Sequence, residues 1–184
     1  MHLETFLNML LQSDQTIPPT GQAPNWEALA SRTGGHKAAN DWVQIPASIV
    51  SIGMNDCEND EGPLRYFGWD NEKPRRDVEV HSFETRLRPI TNEDYAYFLQ
   101  KTQRTDLPAS WLVLPPDRMA TGHPSNENDR LSKKNVDIIT GNFVKDKFIR
   151  TVYGPVPLKY ALDWPVMASY VELDLCAKFM NGRM

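Results

Sequence analysis

VEVHSFETRLRPITNEDYAYFLQK, residues 78–101, passes from the period of a strand to the period of a helix within one short stretch. Val78 and Val80 alternate with Glu79 and His81, so Asp77–Phe83 reads as a strand with one apolar face. Arg86–Ile90 reads as extended, because Pro89 disfavours helical backbone at Arg88. Thr91 followed three residues later by Asp94 has the form of a capping box with Asp in place of Glu. Tyr95, Phe98 and Leu99 then fall on one helical face, which predicts a helix over Thr91–Lys101.

The flanks are less regular. Upstream, Val43–Ile45 and Ile49–Gly53 are short β candidates separated by Pro46, and Asp56–Gly62 is an acidic loop. Downstream, residues 115–142 are polar and irregular, Phe143–Val152 reads as two short strands around Lys145–Lys147, and Tyr153–Pro165 reads as proline-punctuated loop. Ser169 and Glu172 form a second capping box, and Leu173, Cys176, Ala177 and Met180 line one face of a helix over Ser169–Met180. At the N-terminus Leu3, Phe6, Leu7 and Leu10 recur at i, i+3, i+4 and i+7, one face of a helix that has no capping residue before it. Such a start reads as the end of a longer helix, and Ser13-Asp14 with Pro18-Pro19 stops it. Residues 15–41 read as a linker with at most a short helical turn around Trp26–Ala30.

Composition removes several classes. The 184 residues suit one domain, or one domain and part of another. Hydrophobic residues at 40% and charged residues at 24% exclude global disorder, and the apolar runs are too short to span a bilayer. Lys+Arg 20 against Asp+Glu 24 gives −4, which argues against bulk electrostatic binding to nucleic acid or anionic lipid. Pro 14 exceeds Gly 10, so long irregular connections and few long helices are expected. Cys57 and Cys176 lie far apart and read as reduced thiols. No N-x-[S/T] sequon occurs, and residues 1–14 lack a basic n-region and carry Glu4 inside the apolar stretch. The chain reads as cytoplasmic.

Five segments match a known pattern in order and spacing: WVQIPASIVSIG (42–53), FGWDNEKP (67–74), VEVHSF (78–83), PITNEDYAYF (89–98) and DWPVMASYVELDLCAKFMNGR (163–183). They resemble the sulfatase-modifying-factor family, also called the formylglycine-generating-enzyme-like domain. The resemblance covers most of residues 42–183 and is weakest at 115–142. Within that family, FGWDNE and VYGPVPLKYALDWPV (152–166) resemble the ergothioneine-biosynthesis branch of fungal type. MHLETFLNMLLQ (1–12) is similar to the last helix of the DinB-like iron-binding domain that precedes the lectin-like domain there, where the motif reads H-x-x-x-H-x-E-T. His2 matches the second histidine of that motif, and Glu4 its acidic position.

The resemblance implies an α+β, C-type-lectin-like fold with few helices, short strands and much irregular loop, incomplete at its C-terminus. Residues 1–14 would be the end of the DinB-like helix, 15–41 the linker and 42–184 the N-terminal part of the formylglycine-generating-enzyme-like domain. It implies an iron(II)- and O2-dependent sulfoxide synthase that joins hercynine to cysteine or γ-glutamylcysteine, with no nucleic-acid or membrane partner. His2 is the metal-ligand candidate, and no catalytic residue is assigned. Histidines at i and i+4 point the same way from a helix, and a third from another helix completes a facial set. The first histidine of the pair would fall four residues before His2, and the family's R-L-P-T-E-x-E-W-E segment would follow the 163–183 block. The expectation is a fragment of such an enzyme, inactive alone. The other reading is a non-catalytic lectin-like binding or scaffold module. Ser48 stands where the family has Gly, Asn8 where it has Tyr, and Val171 and Phe179 are milder departures.

Simpler readings stand beside these. A terminal histidine is ordinarily solvated, and Glu4 is equally a surface carboxylate near a helix start. Asp56, Glu58, Asp60 and Glu61 fail the EF-hand template, which needs Gly at position six and Glu at twelve, where this chain has Glu61 and Phe67. Trp69-Asp70-Asn71-Glu72 reads as a loop brace before a ligand contact. His81 reads as exposed, and His36 and His123 sit in polar loops without a partner motif. Cys176, on an apolar helix face, reads as a packed thiol. No G-x-S-x-G, P-loop or dinucleotide-binding fingerprint occurs.

Overall fold

A computed structural model of the chain describes residues 2–13, 16–33, 39–55, 68–114 and 141–184. The chain divides into two compact units, one made of Met1–Ala38 with Arg88–Met184, the other of Ala39–Leu87. The elements are a mixture of helices and small antiparallel sheets joined by loops, compatible with α+β.

In the larger unit, helices α1 (His2–Leu10) and α2 (Trp26–Thr33) come first. Helix α3 (Asn92–Thr102) follows, then strand β5 (Trp111–Val113), a single helical turn α4 (Gly141–Val144), β6 (Lys147–Thr151), β7 (Gly154–Pro157) and helix α5 (Tyr170–Phe179). Strands β5, β6 and β7 form one antiparallel sheet in that order. The core lies between this sheet, α3, α5 and the segment from Leu158 to Val166. Tyr95, Ala96, Phe98 and Leu99 of α3 meet Trp111, Ile149 and Val156 of the sheet, Leu158, Ala161 and Val166, and Cys176 of α5.

Both expected caps form. Thr91 Oγ1 accepts from the Asp94 amide at 3.1 Å, while Asp94 Oδ2 accepts from the Thr91 amide at 3.0 Å. Ser169 Oγ accepts from the Glu172 amide at 3.4 Å, and Glu172 Oε2 accepts from the Ser169 amide at 2.7 Å. Helix α3 stops where Gln103 enters the left-handed region at φ 55°. At the end of α5 Asn181 does the same at φ 60°, and the Gly182 amide donates to Ala177 O at 2.7 Å.

Three expectations are corrected in this unit. Phe143 and Val144 belong to the turn α4, not to a first short strand; only Lys147–Thr151 is extended. The Lys147 ammonium holds that turn, donating to Phe143 O at 2.8 Å and lying 4.3 Å from the Phe143 ring centroid. Gly154–Pro157, read as loop, is strand β7. Two prolines fit there because β7 is an edge strand, where a missing amide faces away from the ladder. Arg150, opposite Pro155, donates its amide to Ser110 O at 2.8 Å on the other side. Third, the turn allowed around Trp26–Ala30 is two turns long. The Asn25 side chain caps it by accepting from the Ala28 amide at 3.0 Å, and Trp26 packs on the core.

The smaller unit holds β1 (Trp42–Ile45), β2 (Ser48–Ile52), β3 (Arg76–Val80) and β4 (Phe83–Arg86). They pair as two antiparallel ladders, β1 with β4 and β2 with β3. The strand read as continuous over Asp77–Phe83 therefore ends at Val80, and Phe83 opens the next. The break follows from pairing: β3 and β4 have different partners, so the chain changes ladder at His81-Ser82.

Candidate functional site

Two of the motif segments, 89–98 and 152–166, meet at the N-terminus of α3. The Asn92 amide donates to Trp164 O at 2.8 Å, the Glu93 amide to Leu162 O at 2.9 Å and the Val166 amide to Ile90 O at 2.9 Å. PITNEDY and ALDWPV are thus stitched together by main-chain bonds although more than sixty residues separate them. Asn92 completes the junction from inside. Its Oδ1 accepts from Trp111 Nε1 at 3.0 Å, and its Nδ2 donates to Ala161 O at 2.9 Å, with the side chain fully buried. A buried amide needs such partners, because leaving them unmade costs its full desolvation.

Arg88 closes the outer side of the junction. Its Nη1 donates to Asp163 Oδ1 at 2.6 Å and its Nη2 to Asp163 O at 2.8 Å. The hydrogen bond to Asp163 raises the Arg88 pKa above its ordinary value, against the lowering caused by burial. Trp26 packs edge-on against Trp164, ring centroids 5.6 Å apart, and against Tyr153 at 6.3 Å, which ties α2 to the same loop. Ser110 Oγ donates to Met167 O at 2.5 Å just beyond it.

His2, the metal-ligand candidate, is exposed on the first turn of α1. Glu4 is also exposed; two positions along a helix turn it well away from the His2 direction. The apolar stripe of α1 is uncovered: Leu3 is 71% exposed, Phe6 62%, Leu7 39% and Leu10 49%. Among the described residues no group of three or more His, Cys, Asp or Glu is placed to hold a metal ion. The described residues therefore do not by themselves fit a resident iron.

The other candidates divide between structural roles and positions outside the described residues. Glu72 Oε2 accepts from the Trp69 amide at 2.9 Å across a 3-10 turn at Asp70–Glu72, and Glu72 O accepts from the Met54 amide at 2.9 Å. That is a loop brace. His81 is exposed between β3 and β4. Cys176 is fully buried, with its sulfur 3.9 Å from that of Met180, and burial pushes its thiol pKa up to about 12. A neutral thiol in that setting is a packing group rather than a nucleophile. Cys57, His36, His123, the acidic group Asp56, Glu58, Asp60 and Glu61, and Phe67 lie outside the described residues.

Sequence reasoning missed Asn92 and the Arg88–Asp163 pair. At the first position of an exposed-looking helix turn, Asn92 carries no signal of burial. Only the demand of a buried indole for an acceptor points to it, and that demand is visible once Trp111 is placed opposite.

No family model matches the sequence. Over its whole length the chain is similar to two curated fungal proteins named Ergothioneine biosynthesis protein 1. It is 43% identical to the one from Neurospora crassa over 189 aligned residues, which is 21% of that protein. It is 30% identical to the one from Schizosaccharomyces pombe over 207 aligned residues, 22% of that protein. The chain spans about a fifth of the length of the curated relatives it matches.

Proposed function

We propose that this chain corresponds to a segment of an ergothioneine-biosynthesis enzyme, an iron(II)- and O2-dependent sulfoxide synthase that joins hercynine to cysteine or γ-glutamylcysteine. The observation that carries the reading is the 43% identity along the whole chain to a protein named for ergothioneine biosynthesis. In this reading residues 1–14 are the end of a DinB-like iron-binding helix, 15–41 a linker, and 42–184 the N-terminal part of a C-type-lectin-like, formylglycine-generating-enzyme-like domain. The enzyme works in the cytoplasm on small molecules. The matching order of the motif segments supports the domain assignment, and an uncovered apolar stripe on α1 suits a helix that belongs to a bundle.

His2 is the proposed iron ligand. It contributes one imidazole, whereas a mononuclear non-haem site takes about three protein ligands. The 184-residue chain alone is therefore expected to form no sulfoxide from hercynine, cysteine, iron(II) and oxygen when the mixture is analysed by mass spectrometry.

The positive test is a chimaera in which this chain replaces the aligned segment of the Neurospora crassa protein. It is expected to form the sulfoxide, and the same chimaera with His2→Ala is expected to lose both output and bound iron. A folded chimaera whose output and iron content ignore His2→Ala would overturn the ligand assignment. A folded, iron-loaded chimaera without output would favour the non-catalytic binding or scaffold reading.

A further inference from the structure

We draw no further inference here: the strongest candidate, the uncovered apolar face of the first helix formed by Leu3, Phe6, Leu7 and Leu10, carries nothing because nothing in the structure shows what covers it.

Discussion

Replacing Asn92 by Ala removes both side-chain bonds of the buried junction and leaves Trp111 Nε1–H without its acceptor, while Ala161 O keeps the bond from the Trp164 amide at 3.1 Å. The lost bonds are worth about 1 kcal/mol each, and the stranded indole N–H adds about 1–3 kcal/mol of unrepaid desolvation. The contributions overlap, because a bond and the desolvation it offsets are not independent, so the expected total is about 3 kcal/mol. That is more than a hundredfold in the folded-to-unfolded ratio, at about 1.4 kcal/mol per tenfold. It is also a large part of a stability of about 5–15 kcal/mol. The main-chain bond from the Asn92 amide to Trp164 O survives, so the helix start is not abolished. The assay is urea unfolding of the 184-residue chain followed by circular dichroism. With a denaturant slope of about 2 kcal/mol/M the midpoint should fall by about 1.5 M. Trp111→Phe alone leaves Asn92 Oδ1 unpaired, so the double variant should fall short of the summed single losses by about 1 kcal/mol. A midpoint drop below about 0.3 M for Asn92→Ala, or strict additivity in the cycle, would refute the buried junction as drawn.

Three further outcomes are expected. Thr91→Ala and Ser169→Ala each remove a helix cap and should each cost about 1 kcal/mol in the same urea assay. Gly53→Ala should destabilise the smaller unit by more than about 1 kcal/mol. Gly53 has φ +82°, and an added Cβ would lie 2.8 Å from Glu72 O and 2.9 Å from Pro74 O, so hydrogen exchange of the β2–β3 amides should accelerate while that of α3 does not. The last concerns alkaline pH. Burial raises Cys176 from its ordinary 9.0 and Tyr95 from its ordinary 10.0, both to about 12. The unfolded chain ionises these groups first, so their contribution is fully present below pH 9.0 and is lost between pH 9.0 and about 12. The urea midpoint should decline over that window, and Cys176→Ala should flatten its lower part; a Cys176 thiol that reacts with a disulfide reagent at pH 8 in the folded Cys57→Ser chain would contradict the burial.

Local rules were readable wherever one short segment held all the information. The cap pairs Thr91–Asp94 and Ser169–Glu172 lie three residues apart, so a sequence pattern contains the whole interaction. The buried faces of α3 and α5 followed from helical spacing for the same reason. Reading failed where the decisive neighbour was distant. Gly154–Pro157 looks like loop because its prolines forbid a central strand, and only its place at the sheet edge makes them harmless. The strand read over Asp77–Phe83 rests on the alternation of Val78 and Val80 with Glu79 and His81, and the break at His81-Ser82 goes with the different partners of β3 and β4.

The candidate site divides along the same line. His2 is a candidate from a motif resemblance alone, and it lies on α1. By itself the sequence determined helices α3 and α5 with their caps and the packed state of Cys176. Each of these depends on residue types at fixed short spacing, and an α-helix repeats its geometry faithfully enough for spacing to stand for position. Tertiary structure alone decided the partners of Asn92 and of Arg88. Asn92 meets Trp111 and Ala161, 19 and 69 residues away, and Arg88 meets Asp163, 75 away. No local period encodes such pairs: a hydrogen bond acts over about 3 Å, and which groups come that close is settled only when the whole core closes around them.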